Sequence, residues 1–320
     1  MPVNSNKPHQ WKSDIALSVD MYNEWFMSFA PVAFRETRIR TAMDVEAALV
    51  STSYLTKVNP AIFRNNPEIL PTLRMSTCPP LAVDRLIGLA GVSASMVKRM
   101  EIEKQLPVRM TAAGIDQELA KIGAIIEKMA DPDIFVWLGK KESPTTAEIH
   151  RAATIVADRL CGSVANPIIR NAQEKRQLAA IKVWLEARGY SQLPSGDGTR
   201  FDAMPPGTFS FRMNVPVKLD NGVISVNIPI DAVIMPKNAK ARQLPAFFEA
   251  KSAGDFTNTN KRRKEEAVKM SQLRSAYGKK VQFNLFLCGY FDSGYLGYEA
   301  AEGIDWVWEH RIDDLAFFGI

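Results

Sequence analysis

Apolar positions in the first half of the chain recur at helical spacing, whereas beyond Thr208 they gather into short, β-branched runs. Leu17, Met21, Trp25 and Met27 to Phe29 predict a helix over Asp14–Ala30. Asp44–Tyr54 reads as a second, and Leu119, Ile122, Ile125 and Ile126 mark a third over Ile115–Met129. Pro60, Pro67, Pro71, Pro79, Pro80 and Pro107 punctuate the pieces. A break is expected around Gly139-Lys140-Lys141-Glu142-Ser143-Pro144, followed by helices over Thr146–Leu160 and Asn166–Tyr190. Aromatic and Met stripes of this kind belong to a core far more often than to a cofactor site.

The second half predicts a small sheet. Thr208–Val217 and Val223–Ile234 read as a hairpin across the turn signal Asp220-Asn221-Gly222, with Pro236 closing the second strand. Leu244–Lys251 is a third strand and Gln282–Tyr290 a fourth. Between them, Asn260–Tyr277 is polar and basic, carries Ala267, Met270 and Leu273 at helical spacing, and is stopped by Gly278. Strand, hairpin, strand, helix, strand is the order of a mixed sheet with a crossover helix. The chain is therefore expected to be α/β (α+β), with a mainly helical region over residues 1–145 and a sheet-bearing core over residues 146–320.

Two carboxylates and a lysine stand out on these strands. Asp231 ends the run Pro229-Ile230-Asp231, and Glu249-Ala250-Lys251 closes the third strand. Side chains alternate along a strand, so Glu249 and Lys251 project together while Ala250 faces the core. Magnesium prefers oxygen ligands and is often held by one or two carboxylates, with water and a substrate phosphate completing its shell. Asp231 and Glu249 are the candidate ligands, and Lys251 would sit beside the water. A lone Asp with a downstream Glu-x-Lys also arises by chance, usually as a solvated face. Here Glu249 follows Ala246-Phe247-Phe248, which should be buried, and a carboxylate in that position needs a partner or a metal.

Asp231…Glu249-Ala250-Lys251 resembles the PD-(D/E)XK nuclease motif, with Ile230 where the family's proline usually stands and Pro229 one place early. The resemblance implies a central mixed sheet flanked by helices, and a helix ahead of the hairpin with an acidic residue near the metal. Asn166–Tyr190 is that helix and Glu174 the candidate, although a Glu beside Lys175 and Arg176 also reads as a helix-face charge. It further implies metal ligation by Asp231, Glu249 and the Ala250 carbonyl. More narrowly, the chain is similar to XamI-like type II restriction endonucleases, from near residue 10 onward. That similarity rests on Tyr22-Asn23-Glu24-Trp25-Phe26, on Leu73-Arg74-Met75-Ser76-Thr77, and on Ala157–Gly162 leading into Asn171–Gln177. It implies double-stranded DNA as substrate, magnesium as cofactor and a GTCGAC-like target.

Charge changes the picture locally. The 320-residue chain carries net +5, yet Lys237–Lys280 alone holds twelve Lys or Arg against four Asp or Glu, which is +8, so the remainder is −3. Positive charge thus surrounds the candidate site, where attraction to phosphates would dominate affinity. Lys261-Arg262-Arg263-Lys264 is the densest part. Basic residues at a helix start oppose the macrodipole, which favours a functional role over a merely solvated one. Asn258 and Asn260 are candidate caps or DNA contacts.

Composition and absences bound the rest. An apolar fraction of 46% with 23% charged residues is that of an ordinary globule. No apolar run approaches the ~18 residues of a membrane helix, and the start lacks the apolar core of a signal peptide. Cys78, Cys161 and Cys288 are odd in number and far apart, which fits a reducing cytoplasm. Without a Gly-x-x-x-x-Gly-Lys-Ser/Thr loop, no nucleotide cofactor is expected. His9, His150 and His310 are scattered, there is no Cys-x-x-Cys, and no Gly-x-Ser-x-Gly elbow is present. The expectation is a magnesium-dependent type II restriction enzyme cutting a palindromic duplex as a homodimer, with residues 1–145 grasping DNA or dimerising. Two rivals stand beside it: a repair or recombination nuclease of the same fold, and a non-catalytic DNA-binding protein using the basic segment alone.

Overall fold

The computed structural model describes residues 2–140, 142–194, 198–218, 225–256 and 259–320. It forms two compact units, one comprising Met1–Phe29 with Arg170–Ile320, the other Ala30–Ile169. The sequence placed its division near residue 145. The chain instead passes between units inside two long helices, α1 (Pro8–Ser51) and α7 (Thr146–Ala187). Each absorbs two expected helices, and each carries an internal proline, Pro31 and Pro167, close to the crossing. A proline inside a helix removes one backbone bond and bends it, and need not end it where packing holds the flanks. The expected helix over Asp44–Tyr54 stops at Ser51, because Ser53, Tyr54 and Leu55 all adopt positive φ.

The Ala30–Ile169 unit is helical. Between the ends of α1 and α7 lie α2 (Pro60–Asn65), α3 (Leu70–Met75), α4 (Val83–Ala90), α5 (Ala94–Glu103) and α6 (Ala112–Met129). Side chains of Asn59, Ser93 and Thr111 accept the free amides of α2, α5 and α6. Their apolar stripes meet in one core that includes Val45, Leu49, Phe63, Leu73, Met96, Leu119, Ile122 and Phe135.

The other unit is built on a six-stranded mixed sheet, as expected of the second half. Its strands are β1 (Ser191–Gln192), β2 (Thr208–Lys218), β3 (Ser225–Ile234), β4 (Ala246–Ala253), β5 (Gln282–Gly289) and β6 (Asp305–Trp308), paired in sequence order. β3 runs antiparallel to both β2 and β4; β1 joins β2, β5 joins β4 and β6 joins β5 in parallel. Parallel neighbours need a crossover. α8 (Thr259–Tyr277) supplies one between β4 and β5, and α9 (Ser293–Ala301) the next. Gly278 ends α8 at φ +86°, its amide returning to the Arg274 carbonyl, as the sequence led one to expect. β6 and α9 were not anticipated, and the turn Asp220-Asn221-Gly222 lies outside the described residues. One sheet face packs Phe247, Leu285, Leu287 and Trp306 against α8 and α9; the other packs Phe248, Phe286 and Val307 against the end of α7 through Ile181 and Leu185.

Candidate active site

β3 and β4 pair only through Ile234↔Ala246, Val233↔Phe247 and Ala232↔Phe248. The next pair in that register would set Asp231 opposite Glu249, and there the strands part. Parting strands strand a backbone amide, and a buried amide must find an acceptor. The Ala250 amide donates to Asp231 Oδ2 at 2.9 Å, so the carboxylate takes over the lost ladder bond. A residue's N–H and C=O leave a strand by the same edge, which puts the Ala250 carbonyl on the parted edge as well. Pro229, unable to serve a ladder on both sides, falls beyond the last β3–β4 pair. On β4, Glu249 and Lys251 share a face as their spacing predicted, with Lys251 Nζ 3.3 Å from Glu249 Oε1.

The sheet changes face at the same level. On β2, Phe209 and Phe211 belong to the α7 side, but Val215 and Val217 belong to the opposite core, although strict alternation would put all four together. β3 does likewise between Ile230 and Ala232. The switch has a local cause. Arg212, at the one level where the β2–β3 pairing skips from Phe211↔Ala232 to Met213↔Ile230, adopts φ +53°, a conformation costly for a side chain with a Cβ and one that gathers at functional sites. Its exposed guanidinium donates to Glu174 Oε1 on α7 at 2.8 and 3.0 Å.

Two further side chains reach the site from α8. Lys269 donates to Glu249 Oε1, the oxygen already near Lys251. Glu266, one turn earlier and fully buried, lies 3.1 Å from Lys251 Nζ. Glu249 Oε2 and Glu266 Oε2 are buried without a hydrogen-bond partner among the described residues. Burial and then the neighbouring Glu249 push the Asp231 carboxyl up to about 6, against the Ala250 amide. Burial disfavours the Lys251 charge, yet Glu249 and Glu266 together hold its ammonium above the ordinary lysine range. Glu266 is raised by burial and partly relieved by Lys251. Behind it, burial followed by the Glu266 charge lifts Glu299 on α9 to about 8.

The structure therefore brings Asp231, Glu249, Ala250 and Lys251 together. Glu174 faces the same region closely enough to raise Asp231, but its carboxylate is engaged by Arg212, and no cluster of three metal-ligating side chains forms among the described residues. Lys264 is exposed on α8. Asn258 lies outside the described residues, as do the side chains of Asn260, Lys261, Arg262 and Arg263, which stand in the first turns of that helix. Glu266 and Lys269 were missed. The sequence held a signal for Glu266: extending the buried stripe Met270, Leu273 back by one turn lands on it, whereas the expected stripe began at the half-exposed Ala267. Also missed was a cavity of about 750 Å³ lined by Lys175, Lys182, Arg200 and Arg212, with Ser210 and Asn214.

The donor set suits magnesium: two desolvated carboxylates side by side, one presenting a buried oxygen with no other partner. Comparisons with known proteins give the family. The chain is 52% identical over 317 residues to the Type II restriction enzyme SalI of Streptomyces albus G, covering 99% of each. A crystal structure of a Vibrio cholerae protein aligns with 86% of this chain and 55% of its own at 14% identity, but at a TM-score of 0.29 that likeness carries no argument. Residues 53–308 match the model of the XamI restriction endonuclease family, and the chain belongs to that family.

Proposed function

We propose that this protein is a type II restriction endonuclease that hydrolyses double-stranded DNA at a fixed site with magnesium, through Asp231, Glu249 and Lys251. The observation that carries the reading is the parting of β3 and β4 at the level of Asp231 and Glu249, where Asp231 accepts the Ala250 amide. Asp231 and Glu249 would hold the metal, with the Ala250 carbonyl on the same edge and Glu174 as an outer carboxylate. Magnesium, when bound, supplies charge neutralisation at the phosphate and a more acidic water. Lys251 donates hydrogen bonds from the site's interior, orienting a nucleophilic oxygen and countering charge on the phosphorane as the phosphodiester bond breaks. Glu249 is kept in place by Lys269, so its free oxygen points in one direction.

The cations lining the 750 Å³ cavity, together with Lys264 and the basic first turns of α8, supply phosphate contacts that position the duplex. A GTCGAC-like palindrome is the proposed target, cut on both strands by a homodimer, since two-fold symmetry in the protein matches two-fold symmetry in the site. Incubation of plasmid with wild type and Asp231→Asn, with and without magnesium, and sequencing of the ends tests this. Discrete fragments with uniform ends are expected, with single-turnover cleavage lowered at least ~1,000-fold in the variant. Smeared products would favour a repair nuclease, and tight binding without any cutting would overturn catalysis.

A further inference from the structure

We propose that Glu266 is a positioning residue for cleavage, its buried carboxylate fixing the Lys251 ammonium against the Asp231–Glu249 pair. The proposal rests on the assignment of those three residues as the cleavage site. A lysine ammonium rides on four rotatable bonds and carries about 2 kcal/mol of rotamer entropy, so a chemical role demands that something hold it. Lys251 Nζ lies between two carboxylates, 3.3 Å from Glu249 and 3.1 Å from Glu266, with its side chain only 17% exposed.

Glu266 has no evident stabilising reason to be where it is. It occupies a core position of α8, in the stripe continued by Met270 and Leu273, and is wholly buried. A buried ion pair is often no better for stability than apolar side chains of the same volume. What the carboxylate adds is a fixed direction for the amine. One turn along the same helix, Lys269 holds Glu249, so α8 braces both members of the Glu-x-Lys motif from one rigid element. Glu249 and Glu266 are matched by Lys251 and Lys269, which leaves the Asp231 charge for the metal.

The test compares wild type, Glu266→Gln and Glu266→Asp on a duplex carrying the site read from the enzyme's own fragment ends. Three quantities are measured: single-turnover rate at saturating magnesium, duplex Kd without metal, and Mn2+ affinity of the enzyme–duplex complex by electron paramagnetic resonance. Glu266→Gln is expected to slow cleavage about 30-fold or more while both affinities stay within about two-fold, and Glu266→Asp to recover part of the rate. A Gln variant cutting within about three-fold of wild type overturns the proposal; so does a tenfold or greater loss of Mn2+ affinity (about 1.4 kcal/mol), which would make Glu266 a ligand instead. Should the Gln variant not fold, Glu266→Asp decides, and a wild-type rate there is equally fatal. Asp231→Asn and Lys251→Met run alongside. If they cut normally the underlying site assignment fails, whereas silence in both with a fast Glu266→Gln removes only the role of Glu266.

Discussion

Two clusters of buried charge, one in each unit, are handled in opposite ways. In the helical unit, Arg74 on α3 meets Glu101 on α5 through Nε and Nη2 at 3.0 and 3.1 Å, and its remaining nitrogen donates to the Leu81 carbonyl. Arg159 likewise joins Asp131, whose other oxygen accepts the Asp133 amide. All four of these side chains are engaged in bonds within the fold. In the sheet unit, Glu249 and Glu266 each keep a buried oxygen with no hydrogen-bond partner, although cations lie within reach of both. A saturated pair serves packing, and an unsaturated one stores capacity for a ligand. The contrast separates a structural acid from the proposed functional one where burial alone does not, since Glu101 and Glu249 are nearly equally sheltered, at 12% and 7% side-chain exposure.

Breaking the saturated pair should produce the largest change in stability. Arg74→Met leaves the Glu101 carboxylate without its partner in the core, and urea unfolding should register a loss of about 3–5 kcal/mol. A loss below ~1 kcal/mol would erase the distinction drawn between the two clusters. Neutralising an acid of the other cluster should do the reverse. Glu299 is raised to about 8 in the folded chain against 4.5 when free, so folding takes up a proton between those values. Stability from its protonated form is complete below pH 4.5 and is lost as pH rises towards 8. Glu299→Gln mimics the protonated acid, so it should match wild type near pH 4.5 and exceed it by roughly 3 kcal/mol at pH 8. Denaturation curves across that range check it, and parallel pH profiles for the two proteins would refute it. The smallest effect belongs to the exposed charges. Lys264→Ala should leave stability unchanged and reduce the slope of log K against log salt for duplex binding by about one.

The two halves of the chain differed in how openly they declared themselves. β2, β3, β4 and β5 were visible because each is an apolar run of eight or more residues with turn residues near its ends. β6 covers only Asp305–Trp308, too few residues to form such a run. α1 and α7 were each expected as two shorter helices, and only packing on both sides decides that a helix runs on through Pro31 or Pro167. The reversal of face at Arg212 and Asp231 was invisible for a related reason: a positive φ at an arginine leaves no mark in composition.

By itself the sequence determined that Glu249 and Lys251 share a strand face, because side chains repeat every two residues along a strand, and residue type made them and Asp231 the proposed trio. Tertiary structure alone decided which other groups serve it. Glu266 comes to Lys251 from the helix that precedes β5, with Glu299 within reach of its charge from the helix that follows, and the spacing of residues along a chain does not encode which helix face a crossover will lay against a strand. The oxygens left unpaired are likewise a property of the assembled core, since a hydrogen bond is satisfied or not only once all of its neighbours are in place.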